Sequence, residues 1–202
     1  MRLMYYIVTT LLMLLGSLAT QAKEPKLPDE EIITTHVCSK VKQMCDYIEF
    51  FGNPQNSREV KAKYMLKALR LFLADCEPYE EDGIQKKGVE MEITSTYRTK
   101  PRRCLMKDYF TGLMNMRYSK VDIKSSDIHD IQVSKLKPIS ENTYVSTATF
   151  VQVFTGYKDG KPIYSKRTKK NIKCYVLREE TMDGEEYIVK LGDTKALDTK
   201  RL

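Results

Sequence analysis

Apolar side chains recur every three or four residues over the stretch that runs from Asp29 to Gly52. This spacing gathers them on one face of an α-helix, as expected of a helix that covers a core. The acidic residues Asp29, Glu30 and Glu31 favour a helix start here, because the first turn of a helix stabilises negative charge. Gly52-Asn53-Pro54 is predicted to end the helix. The apolar positions are Ile33, Val37, Val41, Met44, Ile48 and Phe51.

Two further stretches have the same period. The first is predicted to begin at Asn56 or Ser57 and to end near Asp75. If Asn56 is the cap, Glu59 completes a capping box. The second stretch is shorter and runs from Leu105 to Met116. The predicted buried face of the first consists of Tyr64, Met65, Ala68, Leu69, Phe72 and Leu73.

The rest of the chain either alternates apolar and polar residues or is rich in β-branched and aromatic residues, and both patterns are typical of strands. Asp159-Gly160 predicts a tight hairpin turn, and Met182-Asp183-Gly184 predicts a second turn. The three strands that these turns join must run antiparallel. Lys137–Asn142 is predicted as a turn and Arg98–Arg103 as a basic loop. The predicted strands are Val89–Tyr97, Val121–Lys124, Ile128–Leu136, Thr143–Tyr157, Ile163–Leu177 and Glu186–Leu191.

Helices followed by an antiparallel meander predict a single α+β domain over residues 29–202, with N-terminal helices packed on a curved antiparallel sheet. This order of elements resembles the nuclear transport factor 2-like superfamily, also called cystatin-like. The resemblance implies a cone-shaped sheet that can enclose a pocket, and a possible homodimer through the outer face of the sheet. It is carried by Tyr64, Leu69 and Phe72, the strand Val89–Tyr97, the helix Leu105–Met116 and the hairpin Phe150–Val176.

The first 22 residues have the composition of a secretory signal peptide. Arg2 supplies the positive charge, Leu3–Leu15 is apolar, and small residues precede a cleavage position after Ala22. Residues 23–28 form a charged tether. The prediction is an exported bacterial member of the superfamily, periplasmic or extracellular, without a stable membrane span after processing. The alternative is an uncleaved N-terminal anchor.

The formal net charge of +7 favours contact with anionic partners. Scattered lysines are usually a solvated exterior, and an exported protein rarely meets nucleic acid, so no nucleic-acid partner is predicted. The partners left open are another protein, an envelope component or a small molecule.

The five cysteines are compatible with disulfide bonds in an oxidising compartment. Cys38 and Cys45 are about 10 Å apart along one predicted helix, which is too far for a mutual bond. Any bridge must therefore join distant segments, and buried thiols without a bridge are the alternative. Cys104 follows Arg102 and Arg103, a setting that would lower its pKa and raise its reactivity, but it also opens an apolar helix, which favours a structural role over a reactive one.

Candidate catalytic groups are few. His36 lies beside the apolar face of the first helix, and His129 lies in a predicted strand whose alternation separates Asp127 and His129 from Asp130. The sequence contains no paired Cys or His with zinc spacing, no nucleophile elbow and no phosphate-binding loop. No catalytic residue, metal or cofactor is therefore predicted.

The strongest candidate for a ligand site is a basic stretch in a predicted strand. Alternation places Lys166, Thr168 and Lys170 on one face, and Gln152 is a candidate neighbour on the preceding strand. This face becomes apolar further along, which indicates that the lysines flank the mouth of a cavity. The alternative is a solvated strand end, where lysines discourage aggregation.

Two functions follow from these observations. The first is an exported, non-catalytic binding or interaction module whose ligand the sequence does not identify. The alternative is an enzyme of the isomerase or hydrolase kind that uses an isolated buried acid such as Asp108 or Glu92. A buried acid in a closed cavity would favour the enzyme.

Overall fold

The computed structural model describes residues 29–98, 100–182 and 184–202. The predicted signal peptide and tether lie outside the described residues and remain predictions. The described helices are α1 (Glu30–Gly52), α2 (Arg58–Leu69) and α3 (Met106–Met114), with short 3₁₀ turns at Leu73–Cys76 and Ile128–Asp130. The strands are β1 (Tyr79–Glu81), β2 (Ile84–Lys86), β3 (Glu90–Ile93), β4 (Arg102–Leu105), β5 (Lys120–Ser125), β6 (Gln132–Val133), β7 (Lys137–Ser140), β8 (Thr143–Lys158), β9 (Lys161–Thr181) and β10 (Gly184–Arg201).

Helix α1 begins and ends where the pattern predicts. The Asp29 carboxylate caps it by accepting hydrogen bonds from the backbone N–H groups of Glu31 and Ile32, at 3.0 and 3.4 Å. All six predicted apolar positions are buried. The helix contacts β5, β8, β10 and α3, so its apolar face covers the inside of the sheet.

Helix α2 is shorter than predicted. Ser57 is its cap, and the helix ends at Leu69, six residues before the predicted end at Asp75. After it, Ala74, Asp75 and Cys76 have positive φ angles, a backbone conformation that cannot continue an α-helix. The predicted buried face is only partly right. Ala68, Leu69 and Phe72 are buried, Met65 and Leu73 are half-buried, and Tyr64 is exposed.

The α+β fold class is confirmed, with one change to the sheet. The main sheet has the order β4-β3-β10-β9-β8-β5, and β6 and β7 also pair with β8. The meander β8–β9–β10 is antiparallel, as predicted, but β3 lies parallel to β10. The sheet is therefore mixed, because the chain crosses from the β3–β4 edge to β5 through α3 before it returns in the meander. Helices on the inside of a curved sheet form the cone that the resemblance implied.

The predicted hairpin turn at Asp159-Gly160 is present, but several predicted segments before it differ from the structure. Asp159 and Gly160 have φ angles of 51° and 76°, which is the tight hairpin turn expected of this pair. The strand predicted over Ile128–Leu136 is wrong, because that segment is a 3₁₀ turn followed by the two residues of β6. The predicted turn at 137–142 contains β7, and the predicted basic loop ends in β4.

The hairpin β1–β2 was not predicted from the sequence. Charged side chains attach it to the sheet: the Nζ atoms of Lys173 and Lys86 lie 2.6 and 3.1 Å from carboxylate oxygens of Glu81 and Asp193. The Tyr175 hydroxyl also donates to Glu81. These contacts join residues far apart in the chain, which local patterns do not reveal.

The buried apolar residues form one cluster between the helices and the sheet. Three rings mark its centre, with Phe110 of α3 at 5.0 Å from Phe51 and 6.1 Å from Phe72, between ring centroids. Such tilted and edge-on contacts are favourable for aromatic pairs. Within the described residues, no helix is both long and apolar enough to cross a membrane.

We expect Phe110→Ala to lower the free energy of unfolding by about 3–5 kcal/mol, because it removes the ring that joins α1, α3 and the segment after α2. Urea unfolding followed by circular dichroism measures the change. Leu197→Ala is the control, since Leu197 is 54% exposed and its loss should change the free energy by less than about 0.5 kcal/mol. Equal effects of the two substitutions would contradict this placement of the core.

Candidate functional site

In chain order, the inner face of β9 changes from polar to apolar. Ile172, Cys174 and Val176 are buried in the core, whereas Lys170 and Lys166 line a cavity of about 540 Å³. This cavity lies between α3, the β3–β4 segment and the β8–β9 hairpin. The core and the cavity are therefore two halves of the same concave surface.

Aromatic and apolar side chains form most of the cavity wall. Phe154 is central, with its ring centroid 5.7 Å from Tyr118 and 6.0 Å from Tyr164. Gly156 of β8 makes room for this wall, because a Cβ atom there would overlap the Tyr118 ring. The other aromatic and apolar wall residues are Ile93, Tyr97, Tyr109, Leu113, Met116 and Ile163.

Lys170 marks the closed end of the cavity. It is only 5% exposed, and its Nζ donates a hydrogen bond to Gln152 Oε1 at 3.0 Å. Met91 Sδ lies 3.6 Å from Nζ, and the centroid of the Tyr109 ring lies 5.6 Å away. Within the described residues, no carboxylate forms an ion pair with this amine. Burial, helped by the positive charge of Lys166, lowers the pKa of Lys170 to about 8.

Gln152 faces Thr168 across the β8–β9 pair and is 7% exposed. Its carbonyl oxygen accepts from Lys170, but its Nε2 donor has no hydrogen-bond partner among the described residues. A buried donor without a partner is costly, and most buried donors in folded proteins have one. The closed end of the cavity therefore presents two nitrogen donors to whatever fills it.

Cationic side chains predominate nearer the mouth. Lys166 Nζ donates to the backbone oxygen of Thr94. Burial and then the nearby Arg98 charge lower the pKa of Lys166, although Tyr164 opposes them. Burial alone would raise the pKa of Tyr164, but the hydrogen bond from the Thr96 N–H, at 3.3 Å, contributes to a net lowering.

The structure brings three of the four sequence-predicted site residues to the cavity. Gln152, Lys166 and Lys170 line it, whereas Thr168 is buried against Thr199, with their hydroxyl oxygens 3.3 Å apart. A solvated strand end does not describe Lys170, which is nearly inaccessible. The sequence did not reveal the wall residues of α3 or Met91, because their proximity to β9 depends on how the helix crosses the sheet.

The two candidate acids occupy different places. Asp108 is exposed and is the only carboxyl among the described residues that line the cavity. Glu92 lies outside it, where Oε1 is 2.9 Å from Arg103 Nε and Oε2 accepts from the Ala196 N–H at 3.1 Å. Neither is an isolated acid buried in the cavity.

The other candidate groups lie outside the cavity. His36 is exposed on α1, and Asp127, His129 and Asp130 are exposed in and before a 3₁₀ turn, not in a strand. Within the described residues, no group of three or more His, Cys, Asp or Glu side chains could hold a metal ion.

The structure favours the structural role of Cys104 over the reactive one. Burial raises the pKa of this thiol and outweighs the opposing effect of Arg102, so Cys104 is less reactive than a solvated cysteine. All five cysteines are free thiols in the structure. Burial also raises the pKa of Cys45 to about 11 and that of Cys174 to about 12. Cys38 Sγ donates to the Ile131 carbonyl oxygen at 3.8 Å.

Three solved structures align with most of the chain. One is a scytalone dehydratase-like protein from Novosphingobium aromaticivorans, 10% identical, with a TM-score of 0.38 over 83% of this chain and 90% of that one. A type 2 hexachlorocyclohexane dehydrochlorinase (LinA) is 9% identical, with a TM-score of 0.35 over 83% and 91% of the two chains. The Kfla4162 protein from Kribbella flavida is 12% identical, with a TM-score of 0.36 over 80% and 91%.

No family model matches the sequence, and no curated protein matches it significantly. At these identities and TM-scores the three alignments carry no argument about function. The assignment of the architecture rests on the element order and the strand pairing described above.

The buried amine makes stability depend on pH. The pKa of Lys170 is about 8 in the folded protein, whereas the unfolded chain has the ordinary lysine value of 10.5. Between these two pH values the unfolded chain therefore holds one more proton than the folded protein. Stability therefore rises with pH across this window, by up to about 3 kcal/mol from this group. We expect the unfolding free energy of the wild type to gain that amount relative to Lys170→Met between pH 7 and pH 10.5.

Urea unfolding at a series of pH values measures this difference in unfolding free energy. Tyrosines and cysteines titrate in the same pH range, but their contributions are the same in the wild type and the variant and cancel in the difference. Lys169→Met is the matched control, because Lys169 is the next residue of β9 and is exposed on the outer face. Its curve should run parallel to that of the wild type. A parallel curve for Lys170→Met would contradict a lowered lysine pKa.

Proposed function

We propose that this protein binds a small, largely aromatic or apolar ligand that carries a carboxylate, carbonyl or similar oxygen acceptor. The observation that carries the proposal is the pair of donors at the closed end of the cavity, Lys170 Nζ and the unpartnered Gln152 Nε2. Both are more than nine-tenths buried on adjacent strands. A ligand oxygen placed there would satisfy both.

The size and lining of the cavity support a small ligand. Its volume of about 540 Å³ lies within the range typical of small-molecule sites. Phe154, Tyr109 and Tyr118 offer ring faces and edges to a planar body. An extended peptide or a second protein would instead need a long exposed groove or a flat surface.

The charges favour an acceptor over a donor on the ligand. Lys170, Lys166, Arg98 and Arg102 line the cavity, against one exposed carboxylate, Asp108. Within this lining a cationic ligand would meet like charges, whereas an anionic ligand would relieve the cost of the buried ammonium.

Binding is favoured over catalysis by an isolated acid. That mechanism needs a carboxyl in a dry pocket with a raised pKa. Among the described residues that line the cavity, Asp108 is the only carboxyl and it is solvent-exposed. We therefore propose a binding protein first, and an enzyme only if turnover of a bound compound is measured.

A matched pair of dyes tests the acceptor site. Anilinonaphthalene sulfonate and N-phenylnaphthylamine share an aromatic body, and only the first carries an anionic group. We expect both to bind the wild type with increased fluorescence, and Lys170→Met to weaken the sulfonate about tenfold or more, because a charge-assisted hydrogen bond contributes about 1.5–3 kcal/mol. The neutral dye should change by less than about twofold, since it makes only aromatic contacts.

Lys169→Met is the control and should bind both dyes as the wild type does. Near-ultraviolet circular dichroism checks that each variant retains its packing, since partly folded states also bind such dyes. Equal weakening of both dyes by Lys170→Met, or no weakening of either, would contradict an acceptor site at this amine.

The cellular location is part of the proposal. If the leader is cleaved after Ala22, the mature chain begins at Lys23. Expression of the full chain in a bacterium, followed by fractionation and intact-mass measurement, should give the shortened protein outside the cytoplasm. A cytoplasmic, full-length product would contradict export. A homodimer, or a protein or envelope partner on the outer face of the sheet, remains a prediction.

A further inference from the structure

The position of Lys170 is unusual for an amine that only pairs with an anion. Its backbone belongs to β9, which lies between β8 and β10 inside the sheet, so the base of the side chain is held rigidly. Met91 and the Tyr109 ring contact the amine, and Gln152 Oε1 accepts a hydrogen bond from it. A lysine in such a setting can act as a nucleophile when it loses its proton.

We propose that Lys170 forms a reversible imine with a ligand aldehyde or unhindered ketone bound in the cavity, with Gln152 Nε2 donating to the carbonyl oxygen. This inference rests on the proposed function, because it uses the same cavity and the same two groups. It narrows the ligand to a carbonyl compound with an aromatic or apolar body.

The chemistry needs no additional reactant. The lone pair of the neutral amine attacks the carbonyl carbon, a C–N bond forms, and the π electrons move to the oxygen. Both hydrogens of the amine then leave with that oxygen as water, which gives the C=N bond of the imine. Hydrolysis reverses each step and releases the ligand unchanged.

The surroundings of Lys170 provide the neutral amine. The titratable and charged groups that influence it are Lys166 on the same strand, Cys45 on α1 and Cys104 on β4, while the Tyr109 ring packs against it from α3. Burial and Lys166 lower the pKa of Lys170, and the two cysteines oppose them. With a pKa of about 8, roughly a tenth of the amine is neutral at neutral pH, several hundred times the fraction in an ordinary lysine.

The second lysine of the cavity is less suited to this reaction. Lys166 Nζ donates to the Thr94 backbone oxygen, and its side chain is less buried than that of Lys170. Together with Arg98 it can hold an anionic group at the other end of the ligand. A rod-shaped compound with a carbonyl at one end and a carboxylate at the other matches this arrangement.

Reductive trapping tests the imine. We propose to incubate the full-length protein with formylnaphthoate, with its two groups at opposite ends of the ring system, and to reduce with cyanoborohydride. Peptide mapping by mass spectrometry then locates the secondary amine. We expect one label per chain, at Lys170 before any other lysine. The labelling rate should rise with pH, with a midpoint near pH 8. Methylnaphthoate, which lacks the aldehyde, should compete for the cavity and slow the labelling.

Three variants give the comparison. Lys170→Met should lose the preferred label, while Lys169→Met should keep it at the wild-type rate. Lys170→Arg keeps a positive charge, but a guanidinium group stays protonated and cannot form the imine, so this variant should also lose the label. It replaces Lys170→Met in the test if that variant does not fold.

Absence of trapping, or labelling spread over surface lysines without preference for Lys170, would overturn the imine. The dye titration on the same samples separates the two proposals. If the sulfonate dye still binds in a Lys170-dependent manner, only the imine has failed. If it does not, the proposed function has failed as well.

Discussion

The alternation of side chains along β8 and β9 is the constraint on which the other features depend. Two neighbouring strands, of 16 and 21 residues, present every second residue to the same concave side. In chain order, the residues on that side of β9 change from polar to apolar, and the helices bury the apolar half. The polar half, which ends at Lys170, is left facing a cavity. A core and a cavity thus arise from one continuous surface.

That arrangement has a cost in stability at Lys170. A buried ammonium without a carboxylate partner among the described residues disfavours the folded state, and the unpartnered Nε2 of Gln152 adds to this cost. The aromatic cluster around Phe110 and the long antiparallel ladder supply the stability that offsets it. Helix α3 contributes to both the core and the cavity, since Phe110 lies in the core while the adjacent Tyr109 lines the cavity.

The sequence predicts features governed by local periodicity well. The bounds of α1, the Asp159-Gly160 turn and the shared face of Lys166 and Lys170 all follow from spacing or turn chemistry. Prediction from the sequence fails where tertiary contacts determine the local structure. The chain after Leu69 leaves the helix because Leu71 and Phe72 pair with Leu191 of β10, and the short hairpin β1–β2 depends on ion pairs with distant strands. At Cys104 the neighbouring arginines in the chain point to a lowered pKa, whereas burial in the fold raises the pKa of this thiol.

One lysine amine, that of Lys170, lies without a compensating charge from the described part of the chain, at the closed end of a ligand-sized cavity. Titration of the lysine side chains by nuclear magnetic resonance, with isotope-labelled lysine and with Lys170→Met for assignment, measures its pKa. We expect a resonance that titrates near pH 8 and is absent from the variant. If instead every lysine resonance titrates near 10.5, the amine is solvated or paired in solution, and Lys170 does not carry a buried charge without a partner.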